Sequence, residues 1–292
     1  MAEQIKQNPS WVDKNEYPFP PKYFDTEFGK IHYVDVGEGK PVVMIHGNPD
    51  WSFSYRHLIK ALSGKNRCIA LDHIGFGLSD KPDNFSYKPE DQAKNFDKFM
   101  ESLNLKDVTL IFNDWGGPIG LSYAIAHPEK VSKIVIINTW LWSLNSDWYY
   151  QMFSRFMGGL IGKWLIRKYN FFANNVVRMA YGTKSRLTKN IHSHYLKPLE
   201  NPKERKGTNV FPRHLIASGK WLGQLWQKVA LITDKPTLIL WGMKDIAFRK
   251  KELNRWKSVM KNFTVQTFDD AGHYPHEERH EEAAKYIESF LV

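Results

Sequence analysis

Asp114 is the side chain in this sequence best placed to attack another molecule. It stands in Asn113-Asp114-Trp115-Gly116-Gly117, directly after the apolar run Val108-Thr109-Leu110-Ile111-Phe112. A segment of helical character, 118–126, follows it. A strand, a sharp turn carrying one reactive side chain, and then a helix make a nucleophile elbow. Here that position holds a carboxylate where a serine is usual. A carboxylate favours displacement at a saturated carbon over acyl transfer.

Such a nucleophile needs a base, an acid that orients the base, and donors for developing negative charge. His273 is the base candidate, in Asp269-Asp270-Ala271-Gly272-His273-Tyr274-Pro275, a short loop after the last expected strand. His276 is its main competitor, and His280 is expected on the following helix. Asp245, in Trp241-Gly242-Met243-Lys244-Asp245, is the acid candidate; its bland reading is an N-cap for the segment beginning near Phe248. The alternative acid position, after the preceding strand, holds Asn138, which carries no charge. Asp269 and Asp270 lie too close in sequence to His273 to reach it from another loop.

Trp115 and Asn48 are the donor candidates. The Trp115 indole N–H is a donor with no acceptor role. Asn48 lies in His46-Gly47-Asn48-Pro49, a turn after an apolar strand, and its amide also donates. Their backbone N–H groups suit an oxyanion hole. The bland alternatives are packing for Trp115 and turn stabilisation for Asn48.

Together these groups describe a two-step reaction. A carboxylate is ionised near neutral pH and attacks an sp³ carbon without help from a base. A halide leaves without a proton but needs donors around its charge. The product of that step is an alkyl ester on Asp114. His273 then activates water against the ester, with Asp245 stabilising the imidazolium. Ser79, in Gly75-Phe76-Gly77-Leu78-Ser79-Asp80-Lys81, lacks the small residue two places on that an elbow requires. That loop does not match a dinucleotide fingerprint, and no cysteine–histidine set for zinc is present. No cofactor or metal is expected.

These residues must be held by alternating elements. Strand-like runs fall at 31–36, 42–45, 67–71, 108–112, 134–137, 237–241 and 264–268. Helical periodicity falls at 89–103, 248–260 and 276–291. The pattern predicts an α/β fold with a mostly parallel central sheet flanked by helices. It breaks between about 140 and 218, where aromatic and basic residues replace strands. The division expected is a main domain of 1–139 and 219–292 with an inserted helical cap, 140–218. The first 25 or so residues, rich in proline and aromatics, are expected to wrap the surface.

The 292 residues, 42% hydrophobic and 25% charged, suffice for one large domain with such an insertion. The net charge is +10, but residues 151–220 hold 14 Lys and Arg against Glu200 and Glu204, leaving −2 for the remainder. Within 152–165, Phe153, Phe156, Met157, Leu160, Ile161, Trp164 and Leu165 recur at helical spacing. Arg155, Lys163, Arg167 and Lys168 flank them. The plain expectation is a cap helix whose apolar face lines the pocket. The sharper one is weak contact with an anionic membrane surface. No recognition motif accompanies the charge, so nucleic acid is not an expected partner. The N-terminus has no apolar stretch of signal-peptide type and no run reaches membrane-span length. With a single cysteine, Cys68, these features lead to an expected cytoplasmic location.

His46-Gly47-Asn48-Pro49, Trp51-Ser52-Phe53, Tyr55-Arg56, Asp72-His73-Ile74-Gly75-Phe76-Gly77-Leu78-Ser79-Asp80-Lys81-Pro82, Asp114-Trp115-Gly116-Gly117-Pro118, Asn138-Thr139-Trp140 and Gly272-His273 resemble the haloalkane dehalogenases. That group belongs to the α/β-hydrolase superfamily, and the similarity spans most of the main domain. An Asn–Trp donor pair with the acid after the later strand is similar to its third subfamily. The resemblance implies Asp114 as nucleophile, His273 as base, Asp245 as acid, Trp115 and Asn48 as halide ligands, and a cis peptide before Pro49. It implies a small apolar halogenated substrate and halide ion as product. The β-lactone decarboxylases of olefin biosynthesis share the pattern, so a lactone substrate is the alternative. Epoxide hydrolases are a further neighbour, for which Tyr149, Tyr150, Tyr169, Tyr181 and Tyr195 are available proton donors. Asn48 argues against them, as Trp115 argues against fluoroacetate dehalogenases, which carry arginine there. A ligand receptor on a retired scaffold is disfavoured because every catalytic group is present. Phe112 and Asn113 depart from the family's usual elbow. Oligomeric state is left open.

Overall fold

The computed structural model describes residues 7–292; residues 1–6, on which much of the N-terminal reading rests, lie outside it. Eight strands form one sheet in the order β1-β2-β4-β3-β5-β6-β7-β8. They are β1 (Lys22–Thr26), β2 (Gly29–Val36), β3 (Lys40–Ile45), β4 (Asn66–Leu71), β5 (Val108–Asn113), β6 (Val131–Ile137), β7 (Thr237–Gly242) and β8 (Phe263–Phe268). The β1–β2 and β2–β4 pairs are antiparallel, and all others are parallel. Seven strands coincide with the apolar runs of the sequence. β1 does not, because it is a half-exposed edge strand with no apolar run.

The central strands bury side chains on both faces, as a covered parallel sheet requires. Val43 and Ile45 of β3 enter one core, with Leu110 and Phe112 of β5. Val42 and Met44, with Ile111, enter the other. Helices α1 (Arg56–Leu62), α2 (Pro89–Leu103) and α3 (Gly116–Ala126) follow β3, β4 and β5. α2 starts on Pro89 with Glu90 and Asp91 in its first turn, where the helix dipole favours acids.

Between β6 and β7 the described chain forms no strand. It holds α4 (Trp148–Met157), α5 (Leu160–Tyr169), α6 (Val177–Ala180), α7 (Lys189–Leu196), α8 (Lys206–Ala217) and α9 (Gly219–Gln227). The single helix expected over 152–165 is two, broken at Gly158 and Gly159. A Cβ on Gly158 would lie 2.6 Å from Arg213 Cβ, so α8 packs against bare backbone there. The break redirects the apolar positions. Phe153 lines the pocket and Met157 is buried, but Phe156, Leu160, Ile161 and Trp164 face outward. The expectation that this whole face lines the pocket is therefore corrected.

After β7, the expected helix 248–260 is α10 (Lys250–Val259), and 276–291 divides into α11 (Pro275–Glu278) and α12 (His280–Leu291). α12 packs on α1. The N-terminal segment does more than wrap the surface. Val12, Tyr17 and Phe19 are buried, and the Tyr17 hydroxyl meets Ser52 Oγ at 2.6 Å.

Candidate active site

Asp114 sits between the end of β5 and the start of α3 with φ +51°, in the left-handed region that Asp tolerates better than most residues. The turn is closed by Gly117 N–H donating to Asp114 O at 3.0 Å. Close approach explains the neighbouring glycines. A Cβ on Gly47 would lie 2.3 Å from Asp114 Oδ1, and one on Gly116 would lie 2.0 Å from Ile45 O.

The Asp114 carboxylate is held by the β3 loop. Asn48 N–H donates to Asp114 Oδ1 at 2.8 Å, and the Asn48–Pro49 peptide is cis. Burial raises the Asp114 carboxyl above its ordinary range. His273 and the backbone N–H groups of Asn48 and Trp115 oppose that rise by favouring the charge. The other oxygen, Oδ2, faces His273 Nε2 at 3.8 Å.

His273 lies in the loop between β8 and α11. Its Nδ1 meets Asp245 Oδ2 at 2.9 Å, which leaves Nε2 toward Asp114. Asp245 follows β7, and its Oδ1 accepts from Ala247 N–H at 2.6 Å. That contact closes a turn within the loop; α10 is capped by Arg249 and Glu252, so the helix-cap reading of Asp245 is corrected. Burial disfavours the imidazolium, but Asp245, Asp114 and Asp50 outweigh it and hold His273 at about 9. The competitors fall away. His276 is buried, stacks on Tyr55 and is pushed down to about 3 by burial. His280 stacks on His57, and Asp270 pairs with Arg186 and Arg279.

The five candidate residues thus converge on one place. Asn48, Asp114, Trp115 and His273 line an apolar cavity of about 190 Å³, and Asp245 lies behind His273. The Asn48 amide and Trp115 indole border the cavity without donating to a protein acceptor among the described residues. Trp115 packs edge-on against Trp140, with ring centroids 4.6 Å apart, so its donor and packing roles coexist. The Tyr149 and Tyr150 hydroxyls, also at the cavity, donate to Ile246 O and Ala247 O. Ser79 is structural: its hydroxyl donates to Asp72 O and accepts from His32 N–H.

Four further residues escape a sequence reading. Asn138 donates from Nδ2 to Asp245 Oδ2 and to Gly242 O, and accepts from Gly242 N–H through Oδ1. Asn113 donates to Ile137 O, Asn138 O and His273 O. It therefore ties the elbow to the His273 loop. Glu278 accepts from Gly272, Gly182 and Thr183 N–H. Asp50 is buried with neither oxygen in good hydrogen-bonding geometry to the protein, and burial pushes it up to about 8. The signal for Asp50 was its place two residues after Asn48.

The alpha/beta hydrolase fold family matches residues 40–280. Haloalkane dehalogenase 2 of Mycobacterium tuberculosis is 36% identical over 281 residues, which cover 95% of this chain and 97% of that one. A cis-3-alkyl-4-alkyloxetan-2-one decarboxylase of Shewanella oneidensis is 35% identical, over 94% of this chain and 89% of its own. The crystal structure of the haloalkane dehalogenase DatA from Agrobacterium tumefaciens C58 superimposes with a TM-score of 0.82. It is 26% identical and covers 93% of this chain and 95% of its own. The chain belongs to the α/β-hydrolase fold family. Within it, the protein is a haloalkane dehalogenase-like enzyme.

Proposed function

We propose that this enzyme cleaves carbon–halogen bonds of haloalkanes, giving an alcohol and a halide through an alkyl ester on Asp114. The observation that carries the reading is a carboxylate pinned through Oδ1 by Asn48 N–H, with Oδ2 turned to His273, inside an apolar cavity. Residues 140–218 act as the cap over that cavity and 1–139 with 219–292 as the main domain.

Asp114 Oδ2 attacks the substrate carbon, and the halide departs with the bonding electron pair. Trp115 Nε1–H and Asn48 Nδ2–H donate to it as charge develops. Water then attacks Asp114 Cγ and gives a proton to His273 Nε2. The oxyanion forms on Oδ1 between the backbone N–H groups of Asn48 and Trp115. Collapse expels the alkoxide, which recovers the proton from His273. A histidine held at about 9 is a poor base at neutral pH. Esterification removes the Asp114 charge, one cause of that elevation, so the base is released when the ester forms.

A second reading is supported by the decarboxylase relatives, which match nearly as well as the dehalogenases. A carboxylate that displaces halide can also open a β-lactone ring. Epoxide hydrolysis is less well supported, because Tyr149 and Tyr150 already donate to backbone carbonyls.

The test is bromide release from short and long bromoalkanes, beside alkene release from a cis-β-lactone, with Asp114→Ala as control. Intact mass of His273→Phe should show an alkyl adduct. Asp114-dependent bromide release with the adduct supports dehalogenation. Alkene release without bromide moves the lactone reading first.

A further inference from the structure

Of the twelve large hydrophobic side chains that the described residues expose, eight fall within 148–179: Trp148, Met152, Phe156, Leu160, Ile161, Trp164, Tyr169 and Met179. Leu160 is 89% exposed and Ile161 63%. An apolar band this concentrated marks an interaction surface. On α5, Leu160, Ile161 and Trp164 share an arc with Arg167 and Lys168, set by the 3.6-residue period. On α4, Trp148, Met152 and Phe156 share one with Arg155.

A cleft of about 1140 Å³ opens beside Trp164. Lys88, Lys163, Arg167, Lys203, Lys206 and Arg213 line it, against the single acid Asp83. The apolar band also reaches the catalytic cavity. Trp148 and Met152 alternate on α4 with Tyr149 and Phe153, which line that cavity, and exposed Met179 lines it too.

We propose that this face docks on an anionic phospholipid surface, the apolar side chains entering the headgroup boundary and the cationic cleft receiving phosphates. Charge selects this occupant over a second copy of the chain. Two copies meeting here would bring Arg155, Lys163, Arg167 and Lys168 together, with only Glu200 and Glu204 as acids in 151–220. An anionic bilayer supplies the missing charge, at about fivefold in partition for each cation near the surface. Docked in this way, the cavity mouth lies at the interface, where a lipophilic substrate enters without crossing water.

The test is co-sedimentation of the full chain with phosphatidylglycerol–phosphatidylcholine vesicles, read beside pure phosphatidylcholine vesicles and with inorganic phosphate as competitor. Binding is expected to the anionic vesicles alone, weakening with salt and surviving millimolar phosphate. Leu160→Ser with Ile161→Ser and Trp164→Ser should lower it roughly tenfold or more. Arg167→Gln with Lys168→Gln should lower it roughly 25-fold. Circular dichroism confirms that the variants fold, and none of these residues lines the catalytic cavity. No binding at low salt, or equal binding by the variants, overturns the proposal. So does concentration-dependent dimerisation abolished by the triple serine variant, which assigns the face to a second copy. The readout uses no turnover, so it stands or falls apart from the dehalogenase reading.

Discussion

Asn138 Nδ2 donates to Asp245 Oδ2 at 2.9 Å, the same oxygen that meets His273 Nδ1. Asn138 also brackets Gly242 through its N–H and C=O, so Asp245 is fixed from the end of β6 as well as from its own loop. Asn138, which carries no charge, positions the proposed acid. Asn138→Ala should slow ester hydrolysis roughly 10–100-fold, the range expected for a lost hydrogen bond to a charged group. Alkylation of Asp114 needs no base and should be largely spared. Rapid-quench mass spectrometry separates the steps. Equal loss in both would mean that Asn138 supports only the fold.

The two steps should also differ in pH dependence. Alkylation requires an ionised Asp114 and no base, so its rate should not rise as His273 loses its proton. Hydrolysis requires neutral His273. Its rate should rise with pH, with a midpoint below about 9 because the ester has removed the Asp114 charge. For stability the sign follows from the raised imidazole. Its contribution is full below the unfolded value of about 6.5 and is lost as pH rises through about 9. Single-turnover rates across that window decide the matter. A hydrolysis rate independent of pH would remove His273 as the base.

Asp50 gives an independent handle. Its carboxyl is raised to about 8, so the folded state binds a proton that the unfolded state releases near 4. Stability must fall as pH rises between those values. Asp50→Asn keeps the shape and removes the ionisation. Its melting temperature should gain on the parent as pH increases from about 5 to about 9, with little difference at the acid end. Thermal melts of both proteins over that pH range test the effect. A constant gap in melting temperature would show that Asp50 is already ionised in the fold.

Trp115→Phe keeps a ring against Trp140 and Phe211 while deleting the indole donor. The expected outcome is a nearly unchanged melting temperature and a bromide-releasing step slowed roughly 10–100-fold. Halide quenching of tryptophan fluorescence should weaken in parallel. Loss of folding with intact chemistry in the residual folded fraction would assign Trp115 to packing.

The convergence of the candidate residues on one cavity was legible because chemistry limits the choice of residue. A carboxylate at an elbow, a histidine after the last strand and an acid after β7 each follow an apolar run readable in one dimension. The central strands were legible because burial on both faces leaves an unbroken Val, Ile and Leu signature. What stayed hidden depends on contacts between distant segments. Asn113 and Glu278 act through backbone groups, and Asn138 through the Gly242 backbone and the Asp245 carboxylate, contacts to which side-chain pattern gives no clue. β1 is polar because it lies at an edge. The 152–165 face was misplaced because periodicity reports amphipathicity, not what the apolar side touches. Two glycines divide that stretch, and packing of Gly158 against Arg213 turns Leu160 and Trp164 outward.

Glu278 makes the reach of such contacts testable. Its oxygens accept from Gly272 N–H at 2.7 Å, beside His273, and from Gly182 and Thr183 N–H at 3.0 and 2.8 Å, after α6. His273 N–H in turn donates to Ala180 O at 2.8 Å. The His273 loop is therefore stitched to the helical insertion. Glu278→Ala leaves up to three backbone N–H groups without their acceptor, each at a cost of about 1–3 kcal/mol if it stays dry. A lower melting temperature is expected from that alone. If the contact also sets the base, hydrolysis should slow while alkylation holds, and the alkyl-enzyme should accumulate at steady state. Glu278→Gln, which keeps one carbonyl acceptor, should recover part of the hydrolysis rate. A variant that melts early yet turns over both steps at the parental rate would reduce Glu278 to a structural support.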